Sequence, residues 1–305
     1  MKRNLRWILA VIIFLSAMVY FTSLTNSKQV QNVNNLNHEE SASLLSPERI
    51  VNIAHRGASG HAPEHTIRSY EYAKKMGTDY LEIDLHMTAD GELVAIHDQK
   101  LQRTTGYDGL VSDMSLRDLK RLDAGSWFNQ ENPKLANPDF EKMKIPSLAE
   151  ILDQFGTEVN YYIEIKAPSV YPGMIDELLE TLSFHHLLEE NRREGSVIIQ
   201  SFSAASLKKV HQLDASIPLI QLLHQKQQKL SEVDFEEIAQ YAIGVGAPYQ
   251  ALNPDLIHKI KGTDLLVHAY TVNQSEEMEQ LLDWGGVTGI FTDYPDVLAD
   301  ILEDR

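Results

Sequence analysis

Two acidic residues spaced two apart in an otherwise aliphatic run are the first sign of chemistry in this sequence. In Tyr80-Leu81-Glu82-Ile83-Asp84-Leu85-His86, the leucines and isoleucine share one face of a strand, and Glu82, Asp84 and His86 share the other. Residues i and i+2 lie about 6.6 Å apart on extended backbone, so both carboxylates can reach one cation. A second strand, Tyr162-Ile163-Glu164-Ile165-Lys166, turns Glu164 and Lys166 the same way. Charges that point into a core are costly unless paired or bound to metal. A buried ion-pair network is the plainer reading, but one lysine cannot neutralise three carboxylates. Glu82, Asp84 and Glu164 therefore read as ligands of one hard divalent cation, Ca²⁺ or Mg²⁺.

Histidines at strand ends supply the acid–base part. His55 closes the run Val51–Ala54 and is followed by Arg56 and Gly57, while His97 closes Leu93–Ile96. Imidazole titrates near neutrality and can give or take a proton at a phosphodiester oxygen. Arg56 offers a planar fork suited to phosphate, and Lys166 adds a point charge. His61, His65, His86 and His268 read as packing or rim residues. Phe202, Tyr270, Asn273 and Asp293 stand at later strand ends and are expected to shape a pocket.

Positioning such groups requires strands that deliver their ends to one place. Apolar runs at 51–55, 80–86, 93–97, 160–166, 197–201, 218–222, 243–247, 265–272 and 289–292 alternate with amphipathic stretches, including one after Ser147. That alternation predicts parallel strands with right-handed crossovers. Roughly eight such units suit an α/β fold of the TIM-like (β/α)8 barrel type, whose active sites gather at the C-terminal ends of the strands. The polar stretch at about 98–144 is too long for a connection and reads as an insertion or cover.

The remaining features concern surroundings. A formal charge of −17 argues against nucleic acid as a partner. It also means that a small anionic substrate needs a cation and fixed positive side chains to enter. Lys2, Arg3 and Arg6 precede an uncharged apolar run from Trp7 to about Thr25, near the ~20 residues that span a bilayer. Residues 1–25 are thus expected to be a membrane anchor or signal peptide that exports the rest. Residues 26–48, rich in Asn, Gln, Ser and Glu, are expected to be a flexible linker, and 49–305 the barrel. No cysteine is present, so neither a disulfide nor a thiol-borne lipid is available.

The segments IAHRGASGHAPEHTIRSY and YLEIDLHMTADGELVAIHDQKLQRTTGYDG closely resemble the glycerophosphodiester phosphodiesterase family. IPSLAEIL, YYIEIKAP, IIQSFSAASL, HAYTVN and GIFTDYPD extend the match in family order. The resemblance implies a TIM-like barrel, a divalent metal, and hydrolysis of glycerophosphodiesters to sn-glycerol 3-phosphate and an alcohol. It also implies that 98–144 is the family's insertion. Residue by residue it implies His55 and His97 as the acid–base pair and Arg56 and Lys166 as substrate-binding cations, with Glu82, Asp84 and Glu164 as metal ligands. At Pro63-Glu64-His65-Thr66 the sequence has His where the family usually shows Asn. A related barrel phospholipase acting on intact lipids is the nearest alternative function, and a non-catalytic glycerophosphate-binding surface protein a more distant one.

Overall fold

The structure is a computed structural model that describes residues 43–189, 191–224 and 230–305. The expected anchor at 1–25 and all but the end of the expected linker lie outside the described residues. Among the described residues no helix is long and apolar enough to cross a membrane.

Nine strands are present among the described residues: β1 Val51–Ala54, β2 Tyr80–Met87, β3 Leu93–Ala95, β4 Tyr161–Ile165, β5 Val197–Ser201, β6 Leu219–Leu222, β7 Gly244–Pro248, β8 Leu266–Tyr270 and β9 Gly289–Thr292. They pair in the order β1-β9-β8-β7-β6-β5-β4-β2-β3, and a β1–β2 pairing closes the ring. The eight ring strands run parallel, as the barrel reading requires. The extra strand, β3, is antiparallel to β2 with Leu85 opposite Ala95. The run at 93–97 is therefore no barrel stave. It is the return arm of a hairpin, and it carries His97 back towards the end of β2.

The α-helices among the described residues are α1 Ile67–Lys75, α2 Gln102–Thr105, α3 Leu116–Leu119, α4 Ser126–Glu131, α5 Leu148–Phe155, α6 Met174–Phe184, α7 Ala204–Leu213, α8 Glu232–Ile238, α9 Pro254–Lys261, α10 Ser275–Trp284 and α11 Pro295–Glu303. Local chemistry sets several boundaries. Ser147 caps α5 as expected: its hydroxyl accepts from the Glu150 amide, and the Glu150 carboxylate accepts from the Ser147 amide. Thr66 and Ser69 make the equivalent reciprocal cap on α1.

Parity along the strands sorts side chains into two environments. Leu81, Ile83, Leu85, Ile163, Ile165 and Ile199 face the helices and join the main core. Tyr80, Tyr162, Ile198, Ile220 and Phe291 fill the barrel at its N-terminal half. Further along the same inward rows, Glu82, Asp84, Glu164 and Gln200 replace those apolar groups, with Asp84 opposite Glu164 and Glu164 opposite Gln200. An oily lower layer thus carries a charged upper one, the division of labour that separates stability from function in barrels. His268 belongs to the lower layer, paired with the Tyr162 hydroxyl at 2.7 Å. Burial lowers its pKa to about 3, so it remains neutral.

The sequence reading places the start of the globule near Arg49. The compact unit runs from Leu44 to Arg305. Leu44 is buried against Val51, Ile53 and Tyr80 at the base of the barrel. A leucine in a polar stretch gives no periodic signal, because only the open barrel end makes its burial favourable. The insertion folds on its own small core of Val94, Ile96, Leu101, Val111, Leu119 and Ile145.

Candidate active site

The seven residues picked from sequence, His55, Arg56, Glu82, Asp84, His97, Glu164 and Lys166, all line one cavity of about 170 Å³ at the C-terminal pole. Phe202, Leu222, Tyr270 and Phe291 form its apolar wall. A larger hollow of about 610 Å³ opens at the opposite pole beside Leu45 and Ile243, but none of these seven residues reaches it.

Arg56 enters through a strained turn. Its φ is +60° and that of Gly57 is +81°. The left-handed region costs a non-glycine residue energy, so it persists only where its surroundings hold it. Here the Arg56 amide donates to Glu82 Oε2 at 2.8 Å, and its carbonyl accepts from the His65 amide and Ser69 Oγ, both at 3.0 Å. A Cβ on Gly57 would stand 2.5 Å from Ser69 Oγ, which explains glycine after Arg56. The guanidinium reaches Glu64 Oε1 at 3.0 Å and approaches Asp84 Oδ2 at 3.6 Å.

Each catalytic candidate histidine has one nitrogen occupied by an aspartate. His55 Nδ1 pairs with Asp293 Oδ1 at 2.7 Å, and His97 Nδ1 with Asp98 Oδ1 at 2.6 Å. A carboxylate can only accept, so Nδ1 carries the proton in both rings, and Nε2 is the nitrogen available for chemistry, that of His55 accepting from Arg56 Nε at 3.3 Å. Asp293 also accepts from Ser59 Oγ at 2.9 Å and Asn273 Nδ2 at 2.7 Å. Despite the penalty of burial, His55, Ser59 and Asn273 hold it at about 2, fully ionised. His86, set aside in the sequence reading, holds the backbone at His97: its Nε2 donates to the His97 carbonyl at 3.1 Å, with Nδ1 on the Tyr171 hydroxyl at 2.9 Å. We expect Asp293→Asn to lower turnover by about tenfold to a hundredfold with little change in thermal midpoint, because an amide can hold the wrong tautomer of His55. Wild-type turnover in that variant would remove Asp293 from the machinery.

The acidic group differs in one respect from the expected ligand set. His65, Glu82 and Asp84 each offer a ligand atom within 4.8 Å of the others, a group that could hold a metal ion. His65 is buried, with Nε2 on Asp84 Oδ2 and Nδ1 on the Tyr70 hydroxyl, each at 2.8 Å. Glu164 lies beside this group with its carboxylate on Lys166 Nζ at 3.0 Å, and Lys166 also reaches Asp84 Oδ1 at 3.2 Å. His65 therefore stands among the candidate ligands that sequence reasoning missed. The signal was its place beside Glu64 in the Pro-Glu-His-Thr motif, where His replaces the usual Asn.

Charge balance tests whether these residues suit a cation. Burial, then repulsion from Asp84 and Glu164, drives Glu82 well above the usual carboxylate range. Burial and Asp84 likewise raise Glu164 to about 8, even with Lys166 attached. Asp84, equally buried, is held well below that range by Lys166, His65 and Arg56. Gln200 adds a buried Oε1 that has no hydrogen-bond partner. Crowded oxygen donors with too little positive charge are the surroundings a hard divalent cation satisfies.

Fold and site together define a (β/α)8 barrel whose C-terminal pole joins two carboxylate-fixed imidazoles, two fixed cations and a buried acidic group. Residues 55–297 match the glycerophosphoryl diester phosphodiesterase family, and the chain belongs to that family. It is 52% identical over 259 residues to a glycerophosphodiester phosphodiesterase of Bacillus subtilis, covering 85% of this chain and 88% of that one. A glycerophosphodiester phosphodiesterase of Caldanaerobacter subterraneus is 34% identical over 254 residues, covering 82% and 96%. Among solved structures, an Oleispira antarctica phosphodiesterase in complex with the product sn-glycerol-3-phosphate superposes with a TM-score of 0.71 at 28% identity, covering 82% of this chain and 96% of that one.

Proposed function

We propose that this chain hydrolyses glycerophosphodiesters to sn-glycerol 3-phosphate and an alcohol. The observation that carries the reading is a single cavity lined by His55 and His97, each fixed through Nδ1, together with Arg56 and Lys166. Membership of the family, and the activity named for its relatives, point the same way.

Arg56 and Lys166 neutralise the phosphate, and Arg56 supplies the planar donor fork. With Nδ1 held on aspartate, one imidazole takes the proton of the attacking hydroxyl or water through Nε2. The other, as an imidazolium with Nε2 also protonated, gives that proton to the departing alcohol oxygen. Phe202, Tyr270 and Phe291 give the carbon skeleton an apolar wall and limit water at the reacting centre. A divalent cation, Ca²⁺ or Mg²⁺, held by Glu82 and Asp84 with Glu164 or His65, supplies Lewis-acid polarisation of a phosphate oxygen when bound. We further propose that the apolar run after Lys2, Arg3 and Arg6 exports the barrel and leaves it outside the cell, tethered or released.

The test is a substrate panel run on residues 44–305 with each cation in turn. Release of sn-glycerol 3-phosphate from glycerophosphocholine and glycerophosphoethanolamine is expected. Cleavage of the headgroup from the matching diacyl lipid alone, with both acyl chains left on the product, would favour the phospholipase reading. No release from any diester would overturn catalysis and leave a binding protein.

A further inference from the structure

One exposed arginine of the insertion is tied to both halves of the site. Arg103 lies in α2, which hangs on buried Leu101 and Thr104. Its Nε donates to Asp98 Oδ2 at 2.6 Å, while Nη1 and Nη2 grip Glu64 Oε2 and Oε1 at 2.8 and 2.7 Å. The other oxygen of Asp98 holds His97, and Glu64 Oε1 also accepts from Arg56. The chain His97–Asp98–Arg103–Glu64–Arg56 is therefore continuous. Trp127 of the insertion lies 5.8 Å from the Arg103 guanidinium, and its own indole N–H is fixed on the Ala124 carbonyl.

We propose that Arg103 is a positioning residue through which the insertion sets His97 and Arg56 relative to one another; this rests on the hydrolytic reading above. Two physical points support it. Glu64 is nearly buried between two guanidinium groups. Without Arg103 its charge falls wholly on Arg56, which must then serve Glu64 and the substrate phosphate at once. Asp98, about a third exposed, is held by the His97 ring and by the Arg103 guanidinium; without the latter, the aspartate can swing and carry the His97 ring with it. Lysine cannot replace this grip, since one point charge does not offer the fork that meets two carboxylates in fixed directions.

Steady-state kinetics of the full chain on glycerophosphocholine, supplied with the cation that supports activity, test this. Arg103→Ala is expected to lower kcat by about tenfold to a hundredfold and to raise KM, since small misplacements of acid–base groups have effects of that order. Added guanidinium should restore part of the activity of Arg103→Ala and none of that of Asp98→Asn. The double variant should have a kcat no lower than the worse single one, because both changes act on the same ring. Arg103→Lys keeps charge and stem, so it decides the matter if the alanine variant fails to fold; its kcat should fall with an unchanged unfolding midpoint. Kinetics within about twofold of wild type in a folded Arg103 variant, or additive losses with no rescue, would overturn the proposal. An inactive wild-type chain would instead overturn the hydrolytic reading on which it stands.

Discussion

Alanine at His55 or at His97 is expected to lower turnover by about 10²–10⁴-fold, the usual contribution of a positioned general acid or base. The geometry supports an effect at the upper part of that range. Asp293 and Asp98 occupy Nδ1 of the two rings, so neither ring can present an alternative nitrogen without breaking a short charge-assisted bond. Burial, with Arg56 and Lys166 nearby, outweighs Asp84 and Asp98 and lowers His97 to about 4. The ring is thus neutral near pH 7 and able to accept a proton. KM should change little, because phosphate affinity resides in Arg56 and Lys166. A substrate whose leaving alcohol is acidic enough to depart unprotonated separates the two roles. Such a substrate should rescue the variant that has lost the acid and leave the base variant inactive. Near-wild-type turnover of glycerophosphocholine in either variant would remove that histidine from the mechanism.

The second large effect concerns metal removal, and it has a readout besides activity. In the metal-free chain Glu164 ionises at about 8 instead of its ordinary 4.5, and Glu82 is displaced in the same direction. The folded state therefore binds these protons more tightly than the unfolded state. Stability from the protonated carboxyls is full below about pH 4.5 and is lost as pH rises through about 8. Ca²⁺ or Mg²⁺ is expected to replace those protons. At a concentration near 100 times its Kd, a cation adds about 2.7 kcal/mol, or roughly 5–10 °C in midpoint for a chain of this size. The shift should be larger at pH 8 than at pH 5.5. Glu82→Gln should flatten the pH dependence of the metal-free protein and abolish most of the cation-induced shift. Chelation should also abolish turnover, and re-addition should restore it. Full activity after chelation, together with a midpoint indifferent to both cations, would sink the metal site.

The sequence alone determined which residues face inward. Alternation in Tyr80–His86 and Tyr162–Lys166 is a local property of extended backbone. It placed Glu82, Asp84, Glu164 and Lys166 on one face before any contact was known, and the family motifs supplied His55, Arg56 and His97. Tertiary structure decided how these groups are held. His97 arrives on an antiparallel hairpin outside the ring, so reading 93–97 as another barrel strand missed its pairing while still finding its end. His65 reads as packing from its residue type and place in the chain, and only the departure from the family motif at Pro-Glu-His-Thr marks it. Its backbone takes φ +51° in the turn before α1, and there its ring meets Asp84. From sequence Asp293 is expected only to shape a pocket and Asp98 is not singled out; one lies 238 residues from its histidine and the other is adjacent to it. Arg103 lies within a family motif but has no role assignable from sequence, because what it does depends on Glu64 and Asp98 converging from two separate loops. Parity along a strand is set by neighbouring residues, whereas ligand sets and hydrogen-bond partners are set by which loops meet, and that requires the closed barrel.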